Sequence, residues 1–262
     1  MGSGVAQKHD RAADPALLET VLRLGDNALI LGHELSRWTS NAATVELDIA
    51  LANQALDLIG QARLLLDYAG RLEGKGRNED DLAFGRDAWD FRNVLLVELP
   101  RGDFARTILR QFFYALWAEG FYDALRQSAD ETLSAIAGKS AKEMAYHVRH
   151  AGEWVVRLGD GTEESHGRLA AALAELWPYT HELFMADATD EAMVAAGIIP
   201  DVAALRPAWE QGVGDALARA GLAMPDDPWQ PEGGRRGVHS EHLGYILAEM
   251  QHLPRMYPGV KW

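Results

Sequence analysis

One pattern recurs four times within the first 160 residues: a polar cap, then a long run in which apolar side chains return every third or fourth position. The first run has Asp14 as its cap and Pro15 at the first helical position, where a backbone N–H would be unpaired anyway, and reads to about Trp38. Leu17, Leu18, Val21, Leu22, Leu24, Ala28, Leu31 and Leu35 fall on one of its faces. The second opens at Thr44-Val45-Glu46 and reads to about Leu72, with the stripe Leu47, Leu51, Ala55, Leu58, Ala62 and Leu65. The third, capped by Asp103, runs from Phe104 to about Ser128 and is rich in aromatics. These aromatics (Phe112, Phe113, Tyr114, Trp117, Phe121 and Tyr122) read as core, with Trp117 and Tyr122 as candidate interface anchors. The fourth follows Asp130 and continues to Leu158, where Gly159-Asp160-Gly161 stops it. A helix with one apolar stripe must bury it against another element, so four of them predict a bundle.

The rest of the chain is more interrupted. Gly74-Lys75-Gly76-Arg77-Asn78 is a flexible loop, and a shorter segment from Asp80 to about Leu99 crosses to the third helix. Arg168–Phe184 reads as a helix kinked at Pro178, followed by short helices near 190–196 and 202–219. Ala223–Val238 reads as a long loop and Ser240–Leu253 as a final helix; seven of the ten prolines fall between 200 and 258. No strand alternation of useful length occurs. The expected fold is all-α, a ferritin-like four-helix bundle with extra C-terminal helices. Residues 1–13 are expected to be a disordered tail or a foreign remnant, and 14–262 a single ferritin-like helical domain.

Composition removes several function classes. A net charge of −14 argues against a nucleic-acid partner, because phosphate backbones need a basic face. The absence of cysteine excludes disulfides, thiol catalysis and thiolate metal sites. No apolar run approaches the roughly 18 residues of a membrane span, and the first ten residues hold no signal-peptide core. A soluble, cytoplasmic protein is expected, without membrane contact.

Bundles of this kind that activate oxygen carry iron on a Glu from each of two helices and a Glu-x-x-His from each of the other two. Of the nine histidines, only His166 and His252 have a Glu three residues before them, Glu163 and Glu249. The first pair lies in the glycine-rich stretch 159–167, at best a helix start, and the second lies outside the four-helix region. In the second helix Asp57 is followed three later by Gly60, and no imidazole occurs there. Glu34 and Glu119 are single carboxylates on the first and third helices without matching histidines. No catalytic residue is assigned.

Three groups of polar residues remain as candidates. Glu143, His147, His150 and Trp154 share one face of the fourth helix, which suits half of a metal site or, more simply, a face hydrogen-bonded to a neighbouring helix. Asn53, Asp57 and Gln61 form a polar row on the second helix, an interhelical network or a partner-facing strip. Gly233-Gly234-Arg235-Arg236-Gly237, followed by His239, sets glycines beside arginines just before a helix. Such a segment suits an anion such as a phosphate, or a structured turn or docking surface. Nucleophile-elbow and dinucleotide-binding fingerprints are absent.

Six segments also carry a resemblance. They are Leu22-Arg23-Leu24-Gly25-Asp26-Asn27, Glu46-Leu47-Asp48-Ile49-Ala50-Leu51-Ala52-Asn53 and Asp57-Leu58-Ile59-Gly60-Gln61-Ala62-Arg63. The others are Asn93-Val94-Leu95-Leu96-Val97-Glu98, Lys142-Glu143-Met144-Ala145-Tyr146-His147 and His239-Ser240-Glu241-His242-Leu243-Gly244. Together they resemble the C subunits of bacterial phenylacetyl-CoA epoxidases (ring-1,2-phenylacetyl-CoA monooxygenases) over nearly the whole chain. The resemblance implies a non-catalytic partner of the family's A subunit, which holds a di-iron centre and epoxidises the ring of phenylacetyl-CoA. It also implies a small B subunit, and a reductase that passes electrons from NADPH through FAD and an iron–sulfur cluster. On that reading this chain binds no cofactor itself. Two others compete: a metal-dependent oxygenase using an atypical set such as Glu143, His147 and His150, and a CoA-phosphate contact made by Arg235 and Arg236.

Overall fold

A computed structural model describes residues 14–226 and 229–260. The expected tail at 1–13 lies outside the described residues. The four long helices are α1 (Pro15–Ser36), α2 (Val45–Glu73), α5 (Phe104–Leu125) and α6 (Glu131–Gly159). Between them lie the short α3 (Glu79–Phe84) and α4 (Leu95–Glu98); after them come α7 (Glu163–Leu176), α8 (Ala188–Ala195), α9 (Arg206–Arg219), α10 (Glu241–Met250) and α11 (His252–Met256). No strand occurs among the described residues.

The long helices start where their caps put them. Asp14, Thr44, Asp103 and Asp130 each accept a hydrogen bond from a backbone N–H of the first turn, at 2.8–3.3 Å. α2 ends at Gly74, whose φ of 68° is the left-handed stop that glycine adopts without strain.

Side-chain contacts give the sense of the bundle. Trp38 Nε1 donates to Thr107 Oγ1 at 3.0 Å and Glu34 meets Arg110, so α1 and α5 run antiparallel. Gln54 meets His150, Gln61 meets Glu143, and Tyr68 meets Asp130, so α2 and α6 also run antiparallel. Short turns join α1 to α2 and α5 to α6, so α2 and α5 are parallel, and residues 74–103 carry the chain back along the bundle. That single long crossover is the ferritin-like connection. α5 is buried nearly all round, because α7 and α9 pack on the side that the bundle leaves open. Phe113, Trp177, Phe184 and Trp209 close that side, with ring centroids 5.2–6.0 Å apart.

Several boundaries differ from the sequence expectation. Pro178 does not kink a continuous helix: α7 stops at Leu176 and the chain tightens into a 3-10 helix over Trp177–Phe184. Proline lacks the N–H and its ring crowds the carbonyl four residues back, so the α ladder cannot pass it. The third long helix ends at Leu125 rather than near Ser128. The final helix divides into α10 and α11, and a 3-10 turn at Gly234–Arg236 interrupts the loop before them. Trp117 and Tyr122 are buried in the core and do not serve as interface anchors.

Candidate functional site

The seam between α2 and α6 is built from polar rungs, one per helical turn. Gln54 Nε2 donates to His150 Nδ1 at 2.9 Å, and Gln61 Nε2 donates to Glu143 Oε2 at 2.9 Å. Between them His147, fully buried, spans two helices. The Gln111 amide of α5 donates to its Nδ1 at 3.0 Å, which leaves Nε2–H to donate to Asp57 Oδ2 at 3.2 Å. Burial, with His147 and Arg157 nearby, holds the His150 pKa below its ordinary value despite Glu153. A second polar group ties α1 to α5. Arg110, with no solvent exposure, lies 3.6 Å from Glu34 and also donates to the Leu99 carbonyl; Arg37 donates to the other Glu34 oxygen at 2.9 Å. Burial lowers the Arg110 pKa to about 10, so the guanidinium is still charged at neutral pH.

This interior does not supply a di-iron donor set. Glu143, His147 and His150 share a helix face as expected, but each turns to a different partner and they do not converge. No three His, Asp or Glu side chains among the described residues gather as a metal would require. The two fully buried carboxylates of the long helices, Asp26 and Glu34, are held by Arg86 at 2.9 Å and by Arg110 and Arg37. Gln54 and Gln61 of α2, Gln111, Tyr114 and Tyr122 of α5, and Ser140 of α6 are also buried and neutral, each with a side-chain oxygen lacking a protein partner. Burial pushes both tyrosine hydroxyls to higher pKa, so they stay protonated. Of the Glu-x-x-His pairs, Glu163, Glu249 and His252 are exposed, and His166 bonds the Gly159 carbonyl at 2.9 Å. Of the polar row on α2, Asp57 and Gln61 reach α6, while Asn53 faces solvent.

The glycine–arginine segment does cradle an anion, and the anion is internal. The Glu182 carboxylate accepts from the backbone N–H groups of Leu95, Gly233 and Arg235 at 2.7, 2.9 and 3.4 Å. Gly234 passes so close that an added Cβ would lie 2.2 Å from the Asn93 carbonyl oxygen. The Arg235 guanidinium grips both Asp190 oxygens at 2.6 Å, and His239 lies between Glu98 (2.7 Å) and the Phe91 carbonyl (3.0 Å). Arg235 and His239 are therefore not available to an outside phosphate. Arg236 faces solvent, paired with Glu232 at 3.1 Å. Sequence reasoning passed over Arg110, Gln111 and Glu182, which lie among apolar neighbours; a charged or amide residue inside an otherwise apolar stripe was the available signal.

No helix among the described residues is long and apolar enough to cross a membrane. The sequence profile of a family described as "Phenylacetic acid catabolic protein" matches residues 4–262. The chain is 47% identical over 241 residues to the 1,2-phenylacetyl-CoA epoxidase C subunit of Escherichia coli (strain K12), covering 92% of this chain and 97% of that protein. With an all-α ferritin-like bundle, and sequence matches over nearly the whole of its length, the chain belongs to the phenylacetic acid catabolic protein family.

Proposed function

We propose that this chain is the non-catalytic, structural subunit of a multicomponent 1,2-phenylacetyl-CoA epoxidase in the cytoplasm, acting in aerobic phenylacetate degradation. It pairs with and stabilises the A subunit that holds the di-iron centre. A small B subunit completes the assembly, and a reductase with FAD and an iron–sulfur cluster delivers electrons from NADPH. The observation that carries this reading is the bundle interior, where arginines hold the buried carboxylates and a single imidazole is cross-linked by Gln111 and Asp57. Those bonds stitch four helices together, and among the described residues no three His, Asp or Glu gather as metal ligands. The chain therefore contributes a rigid, prefolded surface. The test is co-expression with the A subunit from the same source, followed by iron quantification and phenylacetyl-CoA turnover. A stable complex should form, with iron and turnover lost on removal of the A subunit. Stoichiometric iron in the isolated chain, lost on His147→Ala, would instead make this chain an oxygenase with an atypical ligand set.

A further inference from the structure

α1, α5, the 3-10 helix over Trp177–Phe184, α8 and the turn at Gly234–Arg236 meet around a small cavity of about 30 Å³. Every residue that lines it is buried except Arg235. Its charged walls already have partners: Arg23 donates to Asp187 at 3.0 and 2.7 Å, Arg235 grips Asp190, and Glu182 accepts from three backbone N–H groups. Two other polar groups of the lining do not. Thr20 Oγ1 and Trp117 Nε1 are buried without a protein partner, in residues only 4 and 5% exposed. Trp117 also borders an open groove between α5, α6 and α9, but an indole nitrogen turned to that groove would be exposed. Asn27 lines the same cavity and turns its oxygen to the Val94 N–H at 2.8 Å, which leaves its NH₂ group to donate.

Size and charge select what fills this space. A buried water needs roughly 10–15 Å³ of such volume and two to four polar partners, so the cavity has room for one or two. Two guanidinium groups and two carboxylates face it, so an anion would meet Asp190 and Glu182, and a cation would meet Arg23 and Arg235. The occupant is therefore neutral. It must accept from Trp117, which can only donate, and it can donate to Thr20, whose hydroxyl does both. An apolar molecule would leave both groups unpaired at their full desolvation cost. We propose that this cavity is a hydration site, in which one or two long-lived waters accept from Trp117 and Asn27 and donate to Thr20. The water ties α1 to α5 beside the Arg23, Asp190 and Arg235 cluster that holds α8 and the C-terminal turn. The site belongs to this chain alone and does not depend on the subunit reading above.

The experiment records water-to-protein cross-relaxation by NMR on the full chain, read at the indole proton of Trp117, whose resonance Trp117→Phe assigns. Wild type should give a water signal there, with the rotating-frame sign of proximity rather than of exchange. Thr20→Ser, which keeps the hydroxyl, should keep that signal. Thr20→Val has nearly the same shape and should weaken it, and should lower the unfolding midpoint by about 2–4 °C because the water loses a partner. In a dry cavity the same substitution would remove an unpaired hydroxyl and raise the midpoint, so a raised midpoint overturns the proposal. A missing water signal at Trp117 in wild type would overturn it too. So would methyl shifts at Leu24 and Leu183 under xenon pressure, because dry cavities take up xenon. A Trp117 indole resonance that titrates with chloride would make the occupant an anion and would also overturn it.

Discussion

Arg110 carries a full charge inside a helical core, and its neighbours show how that is sustained: Glu34 at 3.6 Å and the Leu99 carbonyl. Removing one member of a buried pair leaves the other desolvated and uncompensated, which typically costs about 3–5 kcal/mol. Arg110→Ala should lower the unfolding free energy in urea by that order, and Arg110→Met with Glu34→Leu should recover most of it. Equal losses in both variants would show that the pair does not act as a unit. His239 predicts a pH dependence. Burial opposes its charge, but the hydrogen bond and attraction of Glu98 outweigh it and raise the pKa above the ordinary 6.5. The folded state therefore holds the proton more tightly than the unfolded chain. The stabilisation is complete below pH 6.5 and fades as the pH rises through the raised value. The stability gap between wild type and His239→Gln, measured in guanidinium from about pH 5.5 to about pH 9, should narrow with rising pH. A gap of constant size would contradict it. Little of this was legible in the sequence. Glu143, His147 and His150 could be placed on one face by counting, but their partners Gln61, Asp57, Gln111 and Gln54 come from other helices, which counting cannot orient.

The helices were far more legible. Four caps and four apolar stripes placed α1, α2, α5 and α6 to within a few residues, because capping and burial act on neighbours three and four positions apart. The crossing segment and the later helices were also placed roughly, but their breaks were not, since the stop at Pro178 and the turn at Gly234–Arg236 depend on what they pack against. Two glycines of α2 show the same divide, and their substitutions should have opposite signs. A Cβ on Gly70 would lie 2.2 Å from the Arg77 carbonyl oxygen, where the chain doubles back after the helix. Gly70→Ala should destabilise by about 1–3 kcal/mol. A Cβ on Gly60 would meet nothing closer than Lys139 Nζ at 3.9 Å. Gly60→Ala should stabilise by about 0.5–1 kcal/mol through helix propensity alone. Thermal unfolding of the two variants checks both signs, and a stabilised Gly70→Ala would mean that the α2 end can open at little cost.

Taken as an assembly, the molecule is two helical hairpins, α1–α2 and α5–α6, joined across polar seams and separated in sequence by the crossover. That arrangement bears on kinetics. Each hairpin is closed by a short turn, so its contacts are local and form early. The bonds between α2 and α6 join residues 62 to 96 positions apart, and each must wait until a long loop has closed. The hairpins should therefore assemble first and the seam last, after the rate-limiting step. Gln61→Ala, which cuts one rung, should accelerate unfolding several-fold in stopped-flow measurements and leave the refolding rate nearly unchanged. An equal slowing of refolding would place the seam in the transition state instead. The polar rungs then act as a late lock: they do little to guide the chain to its fold, and they set how long it stays there.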